Sequence, residues 1–182
     1  REIYERERQS EIGHIASTAL VGFIGDDPSQ LTALLETARG RQLRPIADAL
    51  RRSSTPPEAE LNRKLAAPIS EALDHITIVQ TAQEQAAVGI TLCLMNRPDQ
   101  VWPFLRFGGS PDLRSYLIHG MAESGVDWRF LRERLGLETD PGILSGVIIA
   151  TGDYNTAQLA PFDRLSFQDR LRELLVSHWH PA

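Results

Sequence analysis

The sequence predicts an all-α chain of about nine to ten helices, stacked as antiparallel pairs into a repeat array. Three observations carry that prediction. Apolar residues recur at steps of three and four, as in Leu113, Leu117 and Met121, which is the spacing of one helix face. Residue pairs that start helices stand ahead of the periodic stretches, among them Asp27-Pro28, Ser110-Pro111 and Asp140-Pro141. Finally, Leu113-Arg114-Ser115-Tyr116-Leu117-Ile118 lies over Ile143-Leu144-Ser145-Gly146-Val147-Ile148 at an offset of about 30, with Val88-Gly89-Ile90 near the same register one unit earlier. One helix pair of this length cannot cover its own apolar face, so neighbouring units must stack to close a core.

Taken from the N-terminus, Ile12, Ile15, Ala16, Ala19, Leu20 and Phe23 share one face of a helix that runs to about Gly25 and stops at Asp26-Asp27-Pro28. Asp27 and Pro28 then supply the N-cap and first-turn proline of a second helix through Leu31, Leu34 and Leu35, closed by Arg39-Gly40. A third helix carries Leu43, Ile46, Ala47 and Leu50. Ser53-Ser54-Thr55-Pro56-Pro57 is a linker, because its prolines donate no backbone hydrogen bond and push the residue before each away from helical torsions. Residues 1–182 therefore read as one segment, with lobes 1–52 and 58–182 meeting at the linker 53–57.

Beyond the linker, Leu61, Leu65, Ile69 and Leu73 are four apart and predict a helix kinked by Pro68. Another runs from Ile76 to Met95 and ends at Asn96-Arg97-Pro98-Asp99. Further helical stretches open at Pro98-Asp99 before Val101-Trp102, at Gly108-Gly109-Ser110-Pro111 before Leu113, at Val126-Asp127 before Trp128 and at Thr139-Asp140-Pro141 before Ile143. The last spans about Leu165 to Val176. Ile76-Thr77-Ile78-Val79 and Val147-Ile148-Ile149 have strand composition, but neither has a hairpin partner at tight-turn spacing, so both are assigned to helices.

Composition narrows the function classes. A formal charge of −5 argues against general binding to phosphate backbones, which draws its affinity from clustered Lys and Arg. Of the 19 basic residues only Lys64 is lysine, a bias ascribed to a GC-rich, bacterial genome. The lone Cys93 sits in the apolar run Val88 to Met95 and has no partner for a disulfide or a Cys-rich metal site. No stretch approaches the roughly 18 apolar residues of a membrane span, and the N-terminus lacks the layout of a signal peptide. Charged helical sequence begins at Arg1 with no capping residue ahead of it, so the chain is expected to be a segment of a longer protein.

Val101-Trp102-Pro103-Phe104-Leu105, Ser110 through His119, Gly125-Val126-Asp127, and Thr139-Asp140-Pro141 leading to Gly152-Asp153-Tyr154 closely resemble the HEAT-like helical region of planctomycete-type multidomain proteins. The likeness reaches back, more weakly, to Glu5-Arg6-Glu7-Arg8 and Gln30 through Leu35. In those proteins the region precedes a formylglycine-generating-enzyme-like (sulfatase-modifying-factor) domain and can follow a Ser/Thr kinase or other signalling module. The resemblance thus implies a HEAT-like array with any enzymatic activity in flanking domains. It also implies one more helix past His180-Pro181. Where the family's second unit has an arginine pair, this chain has Leu144-Ser145-Gly146.

Candidate chemistry is sparse. Gly142-Ile143-Leu144-Ser145-Gly146 has one residue too many for a nucleophile elbow and no preceding strand, so close helix packing at Gly146 is the expectation. His178-Trp179-His180 has no local acidic or Cys partner to complete a metal shell, and reads as a helix end whose cations complement the dipole. His119 reads as a hydrogen-bonded structural residue with a titratable or interface role as the alternative. Gly108-Gly109-Ser110 lacks the strand and lysine of a phosphate loop and reads as a turn with a serine cap. Asp26, Asp27, Asp112, Asp127 and Asp140 stand at helix starts, where they satisfy amides and complement the dipole. No catalytic, cofactor-binding or metal-ligating residue is assigned.

For binding, Arg129, Arg132, Arg170 and Arg172, with Trp128, are the candidate contact residues, since Arg and Trp anchor many interfaces. Arg134 and Arg164 extend the same stripe, while Glu133, Asp163, Asp169 and Glu173 interleave with it as a solvated, salt-bridged face would. Trp102, Trp128 and Trp179 lie near helix ends, where they staple neighbouring helices. The expectation is a non-catalytic scaffold in a larger signalling or defence-related protein, binding protein partners in cis or in trans. The alternative is a target or regulated subunit recognised in trans by a protease or effector, with residues 53–57 as its exposed loop. A compartment is not fixed by the sequence, and cytoplasmic is favoured.

Overall fold

The computed structural model describes residues 2–70, 72–155 and 161–178, with side chains from residue 11 onward and, in the last helix, at 164–165 and 167–174. Arg1, Trp179, His180 and the side chains of Asp163 and His178 lie outside the described residues. The chain is all-α, with nine α-helices and no strand among the described residues. They are α1 (Glu2–Ile24), α2 (Pro28–Ala33), α3 (Leu43–Arg52), α4 (Glu58–Leu65), α5 (His75–Leu94), α6 (Pro111–Glu123), α7 (Trp128–Leu137), α8 (Pro141–Gly152) and α9 (Pro161–His178). Both runs of strand composition lie inside helices, α5 and α8.

Local chemistry sets most boundaries. α1 stops at Gly25, whose φ of 67° suits a residue without a Cβ. Asp27 caps α2, its carboxylate accepting from the Ser29 and Gln30 amides at 3.0 and 3.2 Å. Those contacts, the Gln30 amide foremost, hold the Asp27 carboxyl below its ordinary pKa. α2 tightens into a 3-10 turn at Leu34–Glu36, and a second such turn, Gly40–Gln42, leads into α3. Asn96, at φ 64°, closes the stretch that follows α5.

Three expected helices differ. The second, expected to close at Arg39-Gly40, ends as α2 at Ala33, with Leu34 and Leu35 in the 3-10 turn. The Leu61 to Leu73 stretch is not a kinked helix: α4 ends at Leu65, and Leu73 is exposed. Pro68 has no amide to donate and disfavours helical torsions at Ala67, so four-residue spacing is overridden there. The Val101-Trp102 stretch is likewise two 3-10 turns, Pro98–Gln100 and Trp102–Leu105, each with a proline in its first turn.

α5 is the central element, packed against α3, α4 and α6. Small residues let it approach its neighbours: a Cβ at Gly89 would come within 2.7 Å of Leu117 Cδ2, and one at Gly120 within 2.5 Å of Ile90 Cδ1. α6 packs on α8, and α8 on α7. One buried cluster runs from Leu31 to Ala150, so the helices before and after the linker share a core. Within it, burial pushes the Cys93 thiol up to about 12, which keeps it protonated and unreactive.

α1 packs on α3 and on the Gly40–Gln42 turn. The face it buries is not its apolar one. Ser17 is buried, Val21 and Ile24 rest against the core, and His14 Nδ1 donates to the Arg41 carbonyl at 3.1 Å. Ile12, Ile15, Ala16, Ala19, Leu20 and Phe23 face solvent.

Candidate functional site

A helix repeats its face every three or four residues, so residues 12, 15, 16, 19, 20 and 23 form one stripe on α1, roughly 16 Å long at about 1.5 Å per residue. Ile12 is 56% exposed, Ile15 61%, Leu20 48% and Phe23 90%. The bare apolar area is on the order of 500 Å², comparable to the largest patch a soluble monomer usually shows. The other exposed large apolar residues, such as Phe107, Leu137 and Ile149, lie on different elements.

The arginines singled out for binding fall into two groups. On α7, Arg129 folds back on its own N-cap, Nε donating to Asp127 at 3.0 Å, and Arg132 stacks 5.2 Å above the Trp128 ring. On α9, Arg170 donates to Glu173 at 3.1 Å and Arg172 to Asp169 at 2.9 Å. Arg170 Nε also reaches the Leu135 carbonyl at 3.4 Å, tying α9 to α7. These surface ion pairs sit in high dielectric, where each contributes about 0–1 kcal/mol.

The residues that could do chemistry already have hydrogen-bond partners within the chain. Ser145 lies inside α8, and its hydroxyl accepts from Arg114 Nη2 at 3.3 Å. Arg114 also donates to the Leu105 and Gly142 carbonyls at 2.8 and 3.3 Å and stacks 5.0 Å over Phe107, so it joins α6, α8 and the Trp102–Leu105 turn. His119 Nδ1 donates to Asp153 at 2.8 Å, beside an open cleft of about 290 Å³. Tyr154 lines that cleft but donates its hydroxyl to the Val126 carbonyl at 3.0 Å, and burial raises its pKa. Gly108, at φ 91°, makes the turn before Ser110, whose Oγ accepts from the Leu113 amide at 3.3 Å.

Carboxylates serve as caps. Asp127 accepts from the Arg129 amide at 3.0 Å, and Asp140 from the Gly142 and Ile143 amides at 2.9 and 3.1 Å. The Ile143 amide, with Arg106 and the Gly142 amide behind it, keeps Asp140 below its ordinary pKa. Asp112 lies in the first turn of α6. Asp74 caps α5 through the Thr77 amide at 3.0 Å, a role that Asp74 followed by Thr77 could have signalled. Glu138, 8% exposed, also escaped notice. Desolvation raises its pKa, but the Asp140 and Thr139 amides at 2.7 and 2.8 Å, together with Arg134, outweigh that and leave it lowered.

One crevice joins the first helices to the later ones. It has about 220 Å³ of space between Thr32, Leu35 and Glu36 on one side and Lys64, Ala67, Thr81, Glu84, Gln85 and Val88 on the other. Gln85 Nε2 donates to the Ala67 and Lys64 carbonyls at 2.6 and 3.3 Å, which ties α5 to the end of α4.

Compared with protein-family models, curated proteins and solved structures, the chain matches none. Its residues alone therefore carry the functional argument. Among the described residues, no group of three His, Cys, Asp or Glu side chains is placed to hold a metal ion. No helix among them is long and apolar enough to cross a membrane. Among the described residues, the stripe on α1 is a continuous apolar surface that packing within the chain does not explain.

Proposed function

We propose that this chain is a non-catalytic, HEAT-like scaffold segment of a larger signalling or defence-related protein, and that it works by binding protein partners. The observation that carries this reading is the stripe from Ile12 to Phe23, which α1 turns to solvent while packing by its opposite face. An apolar face of that size, toward the upper end of what a soluble monomer shows, is often a functional surface, and a protein partner suits it. The repeat reading is supported by register: Ala87, Leu117 and Val147 stand 30 residues apart and are all buried, as are Thr91, Met121 and Thr151. Ser110-Pro111 and Asp140-Pro141 cap their helices at the same interval. The arginine surface of α7 and α9 is a secondary contact area, since its charges already meet acidic or aromatic neighbours.

The test is photo-crosslinking in the cells that make the parent protein, with benzoylphenylalanine at position 23 and, as control, at exposed Arg63 on α4. Position 23 should give discrete crosslinked polypeptides and position 63 none. Absence of discrete products at 23, or equal yields at both positions, would overturn the proposal.

A further inference from the structure

We infer that the bare face of α1 is covered by a second copy of this chain, with the two α1 helices crossing antiparallel about a two-fold axis. The inference rests on reading that face as a protein-binding surface, and it names the partner. A two-fold interface requires that if one residue meets another, the second meets the first in return. The stripe has that symmetry in its size order. About a centre between Ser17 and Thr18, Ile12 mirrors Phe23, Ile15 mirrors Leu20, and Ala16 mirrors Ala19.

In an antiparallel pair each residue therefore meets a counterpart of similar bulk. The two alanines of each copy fall at the crossing point, where backbones come closest. Ile12 and Phe23 fall at the ends, where crossing helices diverge and larger side chains are needed to fill the gap. The area sets the strength: roughly 500 Å² from each copy gives at most about 1,000 Å², below the roughly 1,200 Å² of a stable interface and in the range of weak, transient ones. That size fits a reversible dimer.

Sedimentation equilibrium of the purified chain should show a monomer–dimer equilibrium at concentrations up to about 100 μM. Ala16→Glu, a change between good helix formers, should raise the dissociation constant by at least about tenfold with an unchanged circular dichroism spectrum. Phe23→Gln should weaken the dimer too, which keeps the test open if Ala16→Glu fails to fold. A short bismaleimide reads the orientation. The double variant Ile12→Cys, Phe23→Cys should be joined into a covalent dimer, because each new thiol faces the other type across the gap between the diverging helix ends. Phe23→Cys alone should not, since its two copies stand roughly 16 Å apart along the helix axis. The native Cys93 is buried and does not compete. A monomer at every concentration, a dimer indifferent to both single variants, or rapid crosslinking of Phe23→Cys alone would each overturn the inference. A monomer whose position 23 photo-crosslinks to a different protein would overturn self-association and leave the binding surface standing.

Discussion

Leu117→Ala should lower the unfolding free energy by about 2–5 kcal/mol in urea melts, the range of large-to-small changes in packed cores. Leu117 is fully buried in α6, and its Cδ2 lies 2.7 Å from where a Cβ on Gly89 of α5 would stand. Leu65 Cδ1 closes on the same point, at 3.4 Å. The side chain thus fills the place where α4, α5 and α6 come together. The backbone of α5, held on its other sides by α3 and α4, cannot shift far enough to close the cavity that alanine would leave. A midpoint shift within experimental noise would show that α6 does not bury this face.

Gly142→Ala should destabilise the chain by about 1–3 kcal/mol, although alanine is the better helix former by roughly 1 kcal/mol. A Cβ at Gly142 would stand 2.6 Å from the Phe107 backbone nitrogen and 3.2 Å from Arg106 Cα, so main chain has to move. Such a movement also pulls at the Gly142 carbonyl and the Ser145 hydroxyl, both of which accept from Arg114. Gly136→Ala on α7 is the internal control. Nothing lies within 4 Å of its Cβ position, so propensity should decide and stability should rise by about 0.5–1 kcal/mol. Equal effects at the two glycines would mean that α8 does not approach Arg106-Phe107 closely.

Signals confined to a few residues could be read directly. Asp27, Ser110, Asp127 and Asp140 cap the helices that their sequence neighbourhoods predict, and the spacing of Leu113, Leu117 and Met121 matches their burial. Periodicity erred where it competed with proline, at Pro68 and at the Pro98 and Pro103 turns, because ring geometry acts at one residue while a face is only an average over several. Contacts between distant residues had no local signal. His119 meets Asp153 across 34 residues and Arg114 meets Ser145 across 31. Glu138 did have one, since Arg134 stands a helical turn before it.

α1 shows a different limit. Spacing grouped Ile12, Ile15, Ala16, Ala19, Leu20 and Phe23 on one face, but period alone does not say what covers a face. The opposite side offers Ser17, Val21 and Ile24 with a histidine, a weaker apolar pattern, and the fold uses that side. The apolar stripe is then free for a partner, which is the basis of the functional proposal.

The orientation of α1 is thus the claim on which binding and self-association both depend. Its most direct test is urea denaturation of Phe23→Gln beside Val21→Gln, at protein concentrations low enough for a pair to be apart. Phe23→Gln should stay within about 0.5 kcal/mol of the parent chain, as substitutions at exposed positions do. Val21→Gln, which removes a side chain resting on the core, should lose about 1–2 kcal/mol. The reverse order, with Phe23 costly and Val21 neutral, would place the apolar stripe inward and contradict the account.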